Sequence, residues 1–210
     1  TNQWWIGLLA GFMLATSQTN IVNNRLVSPD SYLTTASLLV LYASLDIYKH
    51  GRTRDYLWAG LFIGMAIASK YNGAIVGIVP ITAHLLANGT GKAGLTSLFS
   101  GRMWGLLFVA MVTFVVSTPF AVLDYPAFVE DVRYEVAHYA SGHPGMDGDT
   151  LSWYLRYLWL TRGPILLLAG LSILYGIYRR LPMVILVAIF PLVYFVMINR
   201  FIVRNDRTIM

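Results

Sequence analysis

The sequence predicts an all-α fold, a polytopic transmembrane helix bundle, on three observations. Hydrophobic residues make up 57% and charged residues 12% of the 210 residues, with a mean hydropathy of +0.60. A soluble domain of this size carries about twice that charged fraction. About seven apolar segments recur along the chain, at residues 4–19, 33–48, 56–69, 73–87, 103–122, 160–178 and 183–198, against ~20 residues for a full helical crossing. Trp4, Trp5, Trp58, Trp104, Trp153 and Trp159 all fall near the ends of these segments, as an aromatic belt at the water interface requires. Residues 1–210 therefore read as one transmembrane domain.

The same composition excludes several classes. With no cysteine there is no thiolate metal site, disulfide or cysteine nucleophile. A net charge of +5 suits an anionic membrane surface. The basic residues are scattered between apolar segments, so no nucleic-acid partner is expected. The chain opens at Thr1 without an initiator methionine or a basic leader, and reads as an internal portion of a longer protein.

Taken in order, the first two segments flank NIVNNRLVSPDSY at 20–32. Asp30 follows Pro29 at the start of the second segment, where a carboxylate favours the positive helix end and proline fits the first turn. It reads equally as a helix cap and as a functional group in company with Asn23, Asn24 and Arg25. The third and fourth segments are too long together for one crossing. They break at SKYNG, 69–73, which fits a short helical hairpin with a polar tip. Glycines four apart (Gly7/Gly11, Gly60/Gly64, Gly73/Gly77) predict close helix packing.

The outer loop is expected over 123–159. Within it PAFVEDVRYEVAHYA, 126–140, places Phe128, Val132, Val136 and Tyr139 at helical spacing, predicting a juxtamembrane amphipathic helix. Lysine and arginine counts leave the two membrane faces balanced. The short basic loop KHGRTRD, 49–55, and Arg179–Arg180 best satisfy the positive-inside rule, which turns the Asp30 loop outward.

The outward face would then collect Arg25, Asp30, Glu135, His138, His143, Asp147, Asp149, Arg200, Arg204 and Arg207. Arginines fork onto phosphate oxygens, while carboxylates hold a divalent ion or take a proton. Glu135 and His138 share a helix face at a spacing of three, as solvated pairs also do. Lys70 reads either as a snorkelling cation or as a partner for a lipid phosphate. His84 reads as a hydrogen-bonding group inside the bundle. GTGK, 89–92, lacks the earlier glycine and final hydroxyl of a phosphate-binding loop.

The order RLVSPDSYLTTASLLVLYASL, short basic loop, AGLFIGMAIASKYNGAIVGIVPI, EVAHYASGHPG and WYLRYLWL resembles the GT-C membrane glycosyltransferases. The similarity is to the prokaryotic branch of protein O-mannosyltransferases and lipid A aminoarabinose transferases. That resemblance implies transfer of a sugar, with inversion, from a polyprenyl-phosphate donor to a protein, lipid or glycan acceptor at the outer face of a prokaryotic cell membrane. It implies Asp30, Glu135 and His138 as catalytic groups, with Asp30 also a candidate ligand for a divalent metal ion. Arg25 and Lys70 become candidate phosphate-binding groups, with one or more of Arg200, Arg204 and Arg207. The family's main catalytic carboxylate sits in a first outer loop that would precede Thr1, so these 210 residues alone are expected to be inactive. A transporter, a flippase or a non-catalytic scaffold subunit are the rival readings.

Overall fold

Every one of the apolar segments is helical, because in hydrocarbon a backbone must satisfy its own N–H and C=O groups. Residues 4–25, 28–141 and 145–204, the side chains of Thr19, Asn23 and Tyr139 excepted, are described by the computed structural model. The α-helices are α1 (Trp4–Ala15), α2 (Gln18–Asn24), α3 (Pro29–His50), α4 (Thr53–Ser69), α5 (Ile78–Asn88), α6 (Lys92–Ser97), α7 (Gly101–Ser117), α8 (Phe120–Leu123), α9 (Tyr125–Ser141), α10 (Thr150–Tyr178) and α11 (Pro182–Ile198). A 3-10 helix over Tyr71–Gly77 joins α4 to α5.

Several expectations change. Among the described residues only α10 is both long and apolar enough to cross a membrane by itself; α1, α7 and α11 are apolar but shorter. The first apolar segment breaks at Thr16–Ser17, and residues 18–24 form helix α2 instead of loop. Residues 150–159, expected in the outer loop, are the opening turns of α10. That helix is bent at Gly163 (φ 20°, ψ −99°), immediately before Pro164, since proline lacks the N–H and crowds the preceding turn. The amphipathic helix expected at 126–140 is α9.

Helix α3 is the centre of the core. Ala36, Val40, Ala43 and Ile47 are buried along one stripe, at the three- and four-residue spacing that keeps side chains on one helix face. Buried Ser44 returns its hydroxyl to the Val40 carbonyl at 2.7 Å, so it adds no unpaired donor. Against this stripe pack Ala59, Ile63 and Ala66 of α4 and Val79 and Ala83 of α5. The chain reverses at Lys70, so α4 and α5 run in opposite directions. Tyr56 near the start of α4 bonds His84 near the end of α5, at 2.7 Å, and the other ring nitrogen of His84 lies 2.7 Å from Ser97 Oγ. His84 is thus a bundle hydrogen-bonder, as the sequence suggested.

On its other side α4 meets α7 through Gly60 and Gly64. A Cβ on Gly60 would stand 2.4 Å from the Leu106 carbonyl oxygen, and one on Gly64 would stand 2.6 Å from that of Ala110. A Cβ on Gly73 would likewise stand 2.5 Å from the Ala66 carbonyl oxygen. Gly7, Gly11 and Gly77 have open space around them, so their spacing does not mark a contact among the described residues. No residue of α1 is buried, and Trp4, Trp5, Trp58, Trp104 and Trp159 are each more than half exposed. An apolar exterior of this kind faces lipid, not water.

At the far end of α3, Arg52 grips Asp55 with two guanidinium nitrogens at 3.1 Å, and its own N–H donates to the same carboxylate at 3.0 Å. Burial favours the neutral acid, but these hydrogen bonds and the charges of Arg52 and Arg54 outweigh it and hold the Asp55 carboxyl below its ordinary range. The ionised form therefore stabilises the fold above the unfolded value near 3.8, and that contribution is lost as pH falls through the lower folded value. Thermal melts of wild type and Asp55→Asn in detergent should differ most near neutral pH and converge as pH falls below the folded value of the Asp55 carboxyl. Gly60→Val should cost about 1–3 kcal/mol in the same melts, whereas Gly7→Ala should leave the midpoint unchanged.

Candidate functional site

Antiparallel packing of α3 and α4 brings the N-terminus of one beside the C-terminus of the other. Asp30 lies in the first turn of α3, and Lys70 follows the last turn of α4. Each charge suits the partial charge of its own helix end, and the two meet at 3.0 Å. The pair is partly buried, with side chains 16% and 28% exposed. The helix cap is Ser28, not Asp30: the Ser28 hydroxyl accepts from the Asp30 N–H at 3.4 Å and donates to the Asp30 carboxylate at 2.6 Å. Ser31 bonds Asn24 of α2, fixing the approach to α3.

Beside this pair lies a cavity of about 490 Å³. Pro29 and Lys70 line one side, and Val132, Glu135 and Val136 of α9 line another. Tyr154 of α10 and Ile198, Phe201 and Val203 at the end of α11 complete its wall. One ammonium and one carboxylate thus face a space that is otherwise uncharged and largely apolar. Phe128 anchors α9 there by an edge contact with Tyr71, 5.6 Å between ring centres.

The back of the cavity is held by a short antiparallel pairing between 146–148 and 202–204. The Arg204 N–H donates to the Met146 carbonyl at 2.7 Å, and the Gly148 N–H to that of Ile202 at 3.2 Å. Buried Tyr154 reaches the Val203 carbonyl at 3.4 Å. Asp149 caps α10: the Ser152 hydroxyl and the backbone N–H groups of Ser152 and Leu151 bond its carboxylate. Those bonds, led by the Ser152 hydroxyl, hold the Asp149 carboxyl below its ordinary range.

The expected site residues therefore separate. Lys70 and Glu135 both line the cavity, and Asp30, which does not line it, is held beside it as the ion partner of Lys70. His138 is one turn along α9 and does not line it; its ring stacks on Tyr134 at 5.6 Å. Arg204 turns its Nε toward the Met146 carbonyl at 3.3 Å, and neither Arg200 nor Arg25 lines the cavity. Arg207 and His143 lie outside the described residues. Asn72 was passed over in the sequence, although it follows Lys70 by two. It lines the cavity and donates to the Tyr194 hydroxyl at 3.2 Å, while its own buried carbonyl oxygen has no hydrogen-bond partner. Tyr154 gave no sequence signal beyond membership of an aromatic cluster.

An all-α chain with this apolar exterior has the make-up of a membrane protein, with an ion pair beside a cavity at one end of its central helices. The sequence model of the dolichyl-phosphate-mannose-protein mannosyltransferase family matches residues 2–122, more than half of the chain, and the chain belongs to that family of membrane glycosyltransferases. Comparison with curated proteins and with solved structures yielded no match. The matched region contains Asp30 and Lys70 but neither Glu135 nor the carboxy-terminal arginines.

If the Asp30–Lys70 contact ties α3 to α4, a double-mutant cycle of Asp30→Asn and Lys70→Gln should give a coupling of about 0.5–3 kcal/mol. Urea or thermal unfolding in detergent would measure it.

Proposed function

We propose that this protein transfers a sugar from a polyprenyl-phosphate carrier to an acceptor hydroxyl or amine bound at the cavity beside Asp30 and Lys70. The observation that supports this most is the cavity's make-up: one cation and one facing carboxylate in an otherwise uncharged, largely apolar cleft. Such a lining suits a ligand with an anionic head and a hydrocarbon tail. The family supplies the donor class, a polyprenyl- or dolichyl-phosphate sugar, and a protein acceptor.

The acceptor oxygen or nitrogen attacks the anomeric carbon as the bond from that carbon to the phosphate oxygen breaks, inverting the centre. The polyprenyl phosphate leaves with its added negative charge, which Lys70 stabilises, while Asp30 orients the ammonium. Glu135, on the facing wall, is placed to receive the acceptor proton. Arg25, Arg200, Arg204 and His138 would act from outside the cavity lining, as attractors of the donor's charge, and Arg207 would add to that charge. Among the described residues no three His, Asp or Glu side chains converge as metal ligands, and Asp30 is engaged by an ammonium. Asp30 would be the residue of this chain to reach a divalent ion, should one accompany the donor phosphate.

All of the apolar segments are taken as membrane-inserted in one domain, the shorter ones by tilting against neighbours or thinning the bilayer. Loop 49–55 faces the cytoplasm, and the cavity and α9 face outward. A transport path would place its ionisable groups near mid-membrane; Asp30 and Lys70 are instead at helix ends.

Membranes containing the full-length protein, supplied with polyprenyl-phosphate mannose and an acceptor protein, should transfer mannose. Lys70→Met and Glu135→Gln should each lower transfer by on the order of 10²-fold, with insertion checked by protease protection. Wild-type rates in both variants would overturn the assignment of the cavity.

A further inference from the structure

At the end of the α3–α4 pair opposite Asp30 and Lys70 there is a second cleft, of about 370 Å³. Two helix stripes build it. Leu39, Tyr42 and Asp46 follow one face of α3, while Arg54, Trp58 and Phe62 follow one face of α4, both at the three- and four-residue spacing of neighbours on a helix. Because the helices are antiparallel, both stripes run from apolar and aromatic residues to a charged group at the same end. Trp58 and Phe62 stack at 5.7 Å and 19°, and Tyr42 and Trp58 are more than half exposed, so the aromatic wall is open to lipid.

The charged ends are unequal in their commitments. Asp55 is satisfied by Arg52. Arg54 is 67% exposed and only touches that carboxylate, at 3.8 Å. The Asp46 carboxylate lies 3.5 Å from His50 Nδ1, a contact that is ionic only when the ring is protonated. It also feels the charge of Arg52, which lines the cleft as well but whose guanidinium is bonded to Asp55. The cleft mouth thus offers a guanidinium on one helix and a carboxylate on the other, above an aromatic slot.

We propose that this cleft binds a phospholipid with a primary-amine headgroup, of the phosphoethanolamine class. Its phosphate sits on Arg54, its ammonium on Asp46, and an acyl chain lies along Tyr42, Trp58 and Phe62. The charges of both signs match such a headgroup; a purely anionic one would leave Asp46 facing a like charge, and a choline headgroup has no N–H to donate to it. This rests on the membrane placement of α3 and α4, and not on the transfer reaction or on the first cavity.

The test is native mass spectrometry of the intact protein with acyl-matched phosphatidylethanolamine, phosphatidylglycerol and phosphatidylcholine. Phosphatidylethanolamine should be retained preferentially. Arg54→Gln should weaken its retention about tenfold, and Asp46→Asn should erase its advantage over phosphatidylcholine. The distant Tyr32→Phe should change neither, with circular dichroism confirming equal helicity in all. Equal retention of the three lipids by wild type, or an unchanged preference in Asp46→Asn and Arg54→Gln, would overturn the proposal whatever the protein's transferase activity.

Discussion

The antiparallel pairing of α3 and α4 is the constraint on which the rest depends. Two helices of 22 and 17 residues packed in opposite directions bring unlike helix ends together at both membrane faces. At one face the pairing joins Asp30 to Lys70, two residues 40 apart in the chain. An isolated charge near hydrocarbon costs several kcal/mol, so each makes the other tolerable there. The glycines of α4 then bring α7 close on the opposite side, and α5 completes the packing of α3.

The cavity is assembled from later parts of the chain laid over this pair. Its far wall depends on α9, which has no buried residue among those described and leans on Tyr71 and Phe114 through Phe128. Its back depends on a small ladder of backbone hydrogen bonds between 146–148 and 202–204. The ion-paired side of the site is therefore set in the helix core, whereas the Glu135 side is carried by a lightly packed surface helix. The cavity thus has one firm wall and one lightly held wall, and local opening is expected first on the α9 side.

Much of this was legible in the residues. Helical periodicity marked each apolar segment, SKYNG marked the reversal, and PAFVEDVRYEVAHYA marked α9, because side-chain spacing follows directly from helix geometry. The meeting of Asp30 with Lys70 was not legible as a contact, since it depends on how two helices pack. Glycine spacing likewise marked Gly60 and Gly64, which meet α7, whereas Gly7 and Gly11 meet no partner among the described residues: small residues permit close approach, but a partner helix must be there to use it. The arginine-rich end suggested phosphate binding by charge alone, and there Arg204 is turned onto a backbone carbonyl.

The bend at Gly163 gives α10 two separable duties. A straight helix of 29 residues would measure about 44 Å, well beyond a hydrocarbon layer of roughly 30 Å. The portion before the bend carries Tyr154 into the cavity wall, and Arg162 at its end donates to Ser17 at 2.9 Å. The portion after it is exposed almost throughout. A joint at that point lets the lipid-facing rod lean to match membranes of different thickness while the cavity-facing rod stays pinned. The bend acts as a mechanical isolator between bilayer and site.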